Sequence, residues 1–364
     1  MIPFEVEEMS SYLCLGADAP DSFCEANVEI MDAQVEFITT VLDLPIPEQC
    51  IPTFWTEDFE LCGGRSGCYR QDTIYSSWLG MPHEIVHAVV AEAGLRAPLF
   101  MREGLAEALS GKALFSRDIG AEAIIELEIV GADIGRPEYE SSGHFVAWMM
   151  DRFGADRVVE LYDRLDPESG KDEMISTIEE LMGLPFSSFT EEYELAQRIV
   201  YAGKGPFSCG ASTSELPWDG QRTVAEVVSS CDSGEDYRRR DIGEILGHNQ
   251  ELWRGHRLSL SEGEYLVQLS RTGQYGYAIL EMCLSEDTDE DLLPTPPAPV
   301  LPAWGPLRDI GFFPWWEKPT ALAVPGGLAL DLPAGTYTLW IGWIENPEPN
   351  IQLSPRQSFS IELL

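Results

Sequence analysis

Two of the five histidines in this 364-residue chain stand four apart, in His83-Glu84-Ile85-Val86-His87. On a helix, residues i and i+4 share a face, so both imidazoles can reach one metal ion. Glu84 sits beside them, placed to take a proton from a water on that ion, as in a metal-dependent hydrolase. With so few histidines a chance match is rare, under about 0.01 for this composition. Ile85, Val86, Ala88, Val89 and Val90 make the segment apolar nearly all round. Two histidines and a glutamate buried there need partners, because unpaired polar groups inside a protein are costly. A surface helix with two satisfied histidines, the competing interpretation, fits those neighbours poorly. The ion expected is Zn2+, and a zinc hydrolase takes three protein ligands and keeps an open position for water.

A second candidate helix follows at Phe100-Met101-Arg102-Glu103-Gly104-Leu105-Ala106-Glu107-Ala108-Leu109. H-E-x-x-H followed by an aromatic, two residues and E-G-x-A-E resembles the gluzincin metallopeptidases, in particular the bacterial peptidase-MA-like group. In relatives of thermolysin and aminopeptidase N the third ligand is a Glu on the second helix. The resemblance implies Glu103 in that role through its E-G context, with Glu107 one turn on to accept from a ligand imidazole. One departure stands: fifteen residues separate His87 from Glu103 and 19 separate it from Glu107. The first interval is shorter than usual for gluzincins, so spacing alone favours Glu107. Motif context favours Glu103, and Glu103 is the ligand we take.

The segment from Tyr139-Glu140-Ser141-Ser142-Gly143-His144 to Gly154 is similar to an aminopeptidase-type stretch in which a Tyr precedes a helix ending at a Gly. That likeness implies Tyr139 as the hydroxyl donor to the tetrahedral oxyanion, where charge develops. A packing or capping tyrosine is the alternative for Tyr139, and His144 is an alternative donor. The resemblance covers about Cys24 to Tyr193.

The elements that must position these groups are mainly helical over residues 1–200. Apolar spacing predicts helices over Asn27–Leu42, His83–Ala93, Leu99–Ser110, Ala121–Val130, Ser142–Phe153, Ala155–Leu165 and Glu173–Met182. Gly94, Gly111, Gly131, Gly154 and Gly183 follow five of them as stops. Short extended stretches are expected near Cys50–Trp55 and Thr73–Ser76. Residues 201–364 change character: Arg257–Leu260, Tyr265–Ser270, Tyr277–Leu284, Leu328–Leu332, Thr336–Trp343 and Ser358–Leu363 read as short strands, several alternating with period two. The expected fold is α+β and multidomain, a mainly helical zincin-like peptidase domain followed by an all-β, jelly-roll-like sandwich. A Pro-rich acidic insertion at 286–306 interrupts the sandwich. Its run Glu286-Asp287-Thr288-Asp289-Glu290-Asp291 lacks the spacing of a calcium loop and reads as solvated.

Lys and Arg number 23 against 62 Asp and Glu, a formal net charge of −39. Phosphate-backbone binding rests on clustered basic residues, so nucleic acid is excluded as a partner. Such a surface keeps a protein soluble, and a monomer is expected by self-repulsion. It also leads us to expect enrichment of cationic peptides near the cleft. No apolar run reaches the ~18 residues needed to span a bilayer. Eight Cys, an even number, argue for disulfides and an oxidising compartment, with Cys62–Cys68 the best local pair. Met1-Ile-Pro-Phe-Glu-Val-Glu-Glu has no signal-peptide character, so a secreted, periplasmic or cell-surface protein with its signal already removed is expected.

The expected function is a secreted zinc metallopeptidase acting on protein or peptide substrates. No counterpart of the aminopeptidases' G-x-M-E-N stands in the chain, so an endopeptidase is expected. The alternative is a secreted binding protein with an inactive peptidase-like domain, its sandwich holding a surface polymer or protein. The remaining histidines, His248 and His256, have no ligand partner at motif spacing.

Overall fold

The computed structural model describes residues 4–6, 8–18, 24–56, 58–65, 67–76, 82–110, 119–127, 136–196, 206, 214–218, 222–228, 236–238, 251–270, 276–283, 320–323, 328–332, 334–344 and 356–363. It is an α+β structure with eight α-helices and three sheets among those residues. The insertion at 286–306, the acidic run within it, His248, Cys209 and Cys231 lie outside them. No helix there is long and apolar enough to cross a membrane. The chain divides into two compact units. One comprises Met1–Gly16, Met31–Ser76 and Met81–Ser208; the other comprises Ala17–Ile30, Ser77–Gly80 and Cys209–Leu364.

In the first unit a sheet of five short strands runs in the order β1 (Glu8–Met9), β2 (Leu13–Ala17), β3 (Ile51–Trp55), β5 (Thr73–Ser76), β4 (Gly67–Arg70). β3 and β5 are parallel, with Thr53 opposite Ile74, whereas β4 and β5 form a tight hairpin closed at Arg70 and Thr73. Its two turn residues, Gln71 and Asp72, both have φ above +50°, which is what a two-residue turn between twisted strands demands. Cys14–Cys50 and Cys62–Cys68 are disulfide-bonded, with Cα atoms 5.4 and 5.5 Å apart. The second is the pair expected from the Gly-rich loop.

The helices of this unit are α1 (Glu25–Leu42, which begins in the other unit), α2 (Pro82–Glu92), α3 (Leu99–Leu109), α4 (Ala121–Glu126), α5 (Arg136–Phe153), α6 (Ala155–Arg164), α7 (Lys171–Met182) and α8 (Phe186–Leu195). Two differences from expectation matter. α5 starts at Arg136, not Ser142, so Tyr139 lies in its first turn instead of ahead of it. The stretch Glu140-Ser141-Ser142-Gly143 reads as a break because small polar residues are poor helix formers. In the fold it is helical and lies against α3, where a Cβ on Gly104 would lie 2.5 Å from the Ser142 carbonyl oxygen and 2.6 Å from Val146 Cγ2. α3 and α5 therefore cross nearly backbone to backbone. The second difference is α8, which the sequence left unassigned. Its Phe189 and Tyr193 pack edge-on or tilted against Phe145 and Trp148 of α5, with centroids 4.8 to 5.7 Å apart, and these rings form part of the core.

In the second unit the described strands are β6 (Ser214–Glu215), β7 (Arg222–Val228), β8 (Asp236–Arg238), β9 (Glu251–Leu260), β10 (Gly263–Ser270), β11 (Gly276–Cys283), β12 (Thr320–Ala323), β13 (Leu328–Leu332), β14 (Gly335–Ile344) and β15 (Arg356–Leu363). One sheet runs β13-β10-β15-β7 and is antiparallel throughout. The other runs β12-β11-β14-β9-β6, with β8 also paired to β9 and β6 parallel to β9. The register of β14 on β9, from Gly335 opposite Leu260 to Ile344 opposite Glu251, buries Tyr337, Leu339, Leu258 and Leu260.

Candidate metal centre

α2 is apolar on most of its circumference, with Ile85, Val86, Ala88, Val89 and Val90 all buried. Packing it against α3 leaves one polar strip, and that strip holds the two histidines. Glu103 and Glu107 flank Gly104 on the opposing helix, so the glycine that lets α3 approach α5 also fixes the height of both carboxylates. Gln34 of α1 donates to the Leu109 carbonyl at 2.7 Å and ties down the last turn of α3.

Three atoms converge between the helices. His83 Nε2 and His87 Nε2 are 3.1 Å apart, and Glu103 Oε2 is 3.2 Å from each. The opposite side of His83 is occupied: its Nδ1 meets Glu107 Oε1 at 3.0 Å. A proton held there for the carboxylate leaves the Nε2 lone pair facing its counterpart on His87. Two imidazole lone pairs and a carboxylate oxygen at such distances repel unless a cation or proton lies among them. Tetrahedral nitrogen and oxygen ligands at about 2.0–2.1 Å from an ion stand about 3.3 Å from one another, close to the edges of this triangle. His83, His87 and Glu103 thus form a group able to hold a metal ion. The carboxylate that completes the triangle is Glu103, and Glu107 lies behind His83.

The charges are arranged accordingly. Burial opposes the imidazolium of His83, but hydrogen bonds to Glu103 and Glu107 outweigh it and lift its pKa to about 10. Burial would raise Glu103, yet contacts with His83 and His87 hold its carboxyl well below the usual carboxylate range. Tyr139, whose ring centroid is 6.0 Å from that of His83, is pushed up to about 12 by burial and by the charge of Glu103, with Arg65 pulling the other way. Its hydroxyl is therefore a proton donor at every physiological pH.

The triangle faces a cavity of about 520 Å³ whose wall includes His83, Glu84, His87, Glu103 and Tyr139, a volume suited to a small ligand or a few residues of a peptide. The five other groups singled out from the sequence fare differently. Glu84 is buried and lines the cavity, Tyr139 lines it beside His83, and Glu107 holds His83 from behind. His144 does not line the cavity; its Nδ1 lies 3.1 Å from the Tyr193 hydroxyl within the aromatic core. His256 is buried on β9 with its Nδ1 2.8 Å from Ser214 Oγ.

Sequence reasoning missed the cationic part of the wall. Arg65, Arg96 and Arg102 line the cavity, opposite in sign to the surface from which attraction of cationic peptides was expected. Arg65 donates to the Tyr139 hydroxyl at 3.4 Å, and Arg102 Nε is 3.3 Å from Glu103 Oε1. The only signal was that basic residues are scarce in this chain. Comparison with protein-family models, with curated proteins and with solved structures finds no match.

Proposed function

We propose that the protein is a zinc-dependent peptidase of gluzincin type that hydrolyses peptide bonds in the cavity formed by α2, α3 and α5. The observation that carries this reading is the convergence of two imidazole nitrogens and one carboxylate oxygen, 3.1 to 3.2 Å apart, at the wall of a cavity that also holds Glu84 and Tyr139. The donor set favours zinc: two imidazoles are poor ligands for calcium or magnesium, which take oxygen. Zinc bound here supplies Lewis acidity, which brings the pKa of a water towards ~7 and polarises a carbonyl.

The chain's own residues do the rest. His83, His87 and Glu103 hold the ion, and Glu107 keeps His83 in the tautomer that offers Nε2. Glu84 accepts the proton of the attacking water and passes it to the leaving amine. Tyr139, protonated throughout the working range, donates to the oxygen on which charge builds. The disulfides support synthesis for an oxidising compartment outside the cytosol. We read the two sheets of the second unit as an accessory sandwich.

Elemental analysis and hydrolysis of denatured protein substrates test this. One zinc per chain is expected, and Glu84→Gln is expected to keep it while losing about 10²–10⁴-fold in rate. Full activity of Glu84→Gln in a clean preparation sinks the mechanism. Zinc without hydrolysis by the wild type would instead mark a metal-holding protein that does not cut.

A further inference from the structure

Helix packing sets the groups that converge in the cavity, but one neighbour reaches them from a loop. Arg65 stands midway in the ring closed by Cys62–Cys68, three residues from each cysteine, on a solvent-exposed stretch. Gly63 and Gly64 of that stretch take φ of +65° and +87°, and nothing lies within 4 Å of a Cβ built at either. At these two positions nothing packs on the chain, and the stretch is held from its base. There the disulfide joins its ends, and Arg70 Nη1 donates to the Leu61 carbonyl at 2.7 Å. From that base Arg65 Nη1 donates to the Tyr139 hydroxyl at 3.4 Å, across 74 residues of sequence.

A phenol hydroxyl has one hydrogen to donate and lone pairs to accept with. The N–H of Arg65 takes up a lone pair, so the hydrogen points away from the guanidinium, and among the described residues no protein atom accepts it. Arg65 and Tyr139 both line the cavity, which leaves that hydrogen for a ligand there. The guanidinium also favours the negative charge that gathers on the phenol oxygen as it donates, so the contact strengthens as charge builds. At 3.4 Å it has room to shorten, as contacts in a reacting site do once the ligand is in place. Cys68 lines the same cavity, so the closing disulfide belongs to the wall that it braces.

We propose that Arg65 is a positioning residue for Tyr139: the Cys62–Cys68 ring carries its guanidinium to the phenol, and the guanidinium aims the hydroxyl at the oxygen on which charge builds. This rests on the peptidase reading of the same cavity. Arg65 acts through Tyr139, so removing the arginine costs nothing once the hydroxyl is gone. Opening the ring frees the exposed stretch to swing. The aim is then lost, while the metal ligands stay in place on α2 and α3.

The test is a double-substitution cycle on the full-length, zinc-loaded protein. It is read by hydrolysis of a denatured protein substrate and by binding of capped phosphinic tripeptides, whose tetrahedral oxygens stand in for the charged one. Arg65→Ala is expected to lower kcat and weaken phosphinate binding by about tenfold, with KM, zinc content and far-UV circular dichroism unchanged. In a Tyr139→Phe background the same substitution should change either quantity by no more than about twofold. Arg65→Lys, which keeps a charged donor, should recover most of the loss. Cys62→Ser with Cys68→Ser should reproduce the loss, and adding Arg65→Ala to that pair should deepen it no further. An equal loss in both backgrounds overturns the proposal, since Arg65 then acts on the ligand directly. Wild-type values in Arg65→Ala overturn it too, as do wild-type values in the ring-opened variant. Coupling of Arg65 to Tyr139 in phosphinate binding, by a wild type that leaves peptides uncut, keeps the positioning role and removes the peptidase reading, so the two failures are told apart.

Discussion

The helical unit and the β-rich unit each bury a histidine in a matched pair, and the helical unit alone, among the described residues, also brings two histidines face to face. On β9, His256 has Ser214 Oγ 2.8 Å from its Nδ1, a pair in which one atom gives and the other takes. His144 and Tyr193 in the aromatic core are matched in the same manner. On α2, His83 and His87 turn the same atom, Nε2, towards each other at 3.1 Å with a carboxylate oxygen beside both. Complementary pairs satisfy the two atoms that meet and fit within a core. Like atoms gathered into one space are stable only with something charged among them. Buried polarity by itself therefore does not mark a site; the sign of the groups that converge does.

The largest effects should fall on that contrast. Glu103→Ala is expected to abolish stoichiometric zinc binding, Glu107→Gln to weaken it by about 10–100-fold, and His144→Phe and His256→Gln to leave it intact, all read by elemental analysis and competition with a chelator. Zinc lost from Glu107→Gln and kept by Glu103→Ala would exchange the two carboxylates' roles.

A packing change comes next. Gly104→Ala places a Cβ against the Ser142 carbonyl, where backbone must move, so a loss of about 1–3 kcal/mol is expected. Thermal melting should fall by several degrees and zinc affinity should fall with it. Gly183→Ala, at a helix end with open space around it but φ of +72°, should cost stability and leave zinc affinity unchanged.

The pH dependence of the metal-free protein follows from His83. Its pKa rises from 6.5 unfolded to about 10 folded, so the protonated native form is favoured. That stabilisation is complete below pH 6.5 and is lost as pH rises to about 10. Zinc must displace the same proton, so its affinity should climb across that window, by up to about tenfold per pH unit. Melting curves of the chelated protein that are flat over this range would contradict it. The smallest effect is expected at the β4–β5 turn: Gln71→Asn should stabilise by about 0.5 kcal/mol, since Asn tolerates positive φ better than Gln. That shift should appear in melting and not in zinc binding.

How far the sequence carried is clear from particular residues. α2 and α3 were legible because their apolar residues recur at helical spacing and their histidines and carboxylates are scarce or clustered in one motif. The start of α5 was not, because Glu140-Ser141-Ser142-Gly143 obeys a crossing with α3 that only the folded chain displays. α8 carries Phe186, Phe189 and Tyr193 at helical spacing but is short and preceded by Pro185. β4 and β7 alternate weakly, so their pairing with β5 and β15 comes from tertiary partners rather than local preference. The arginines of the cavity are drawn from a loop, a helix approach and a helix face, and no linear pattern joins them.

α5 has one further consequence. Tyr139 lies in its first turn and Trp148 nine residues on, about 13 Å along a rigid rod. At the far end Trp148 is wedged among Phe189, Tyr193 and Phe153. Between the two lies the contact of Gly104 with Ser142, so a tilt of the aromatic end about that contact would move the phenol beside His83. The phenol is thereby tied to side chains that do not line the cavity.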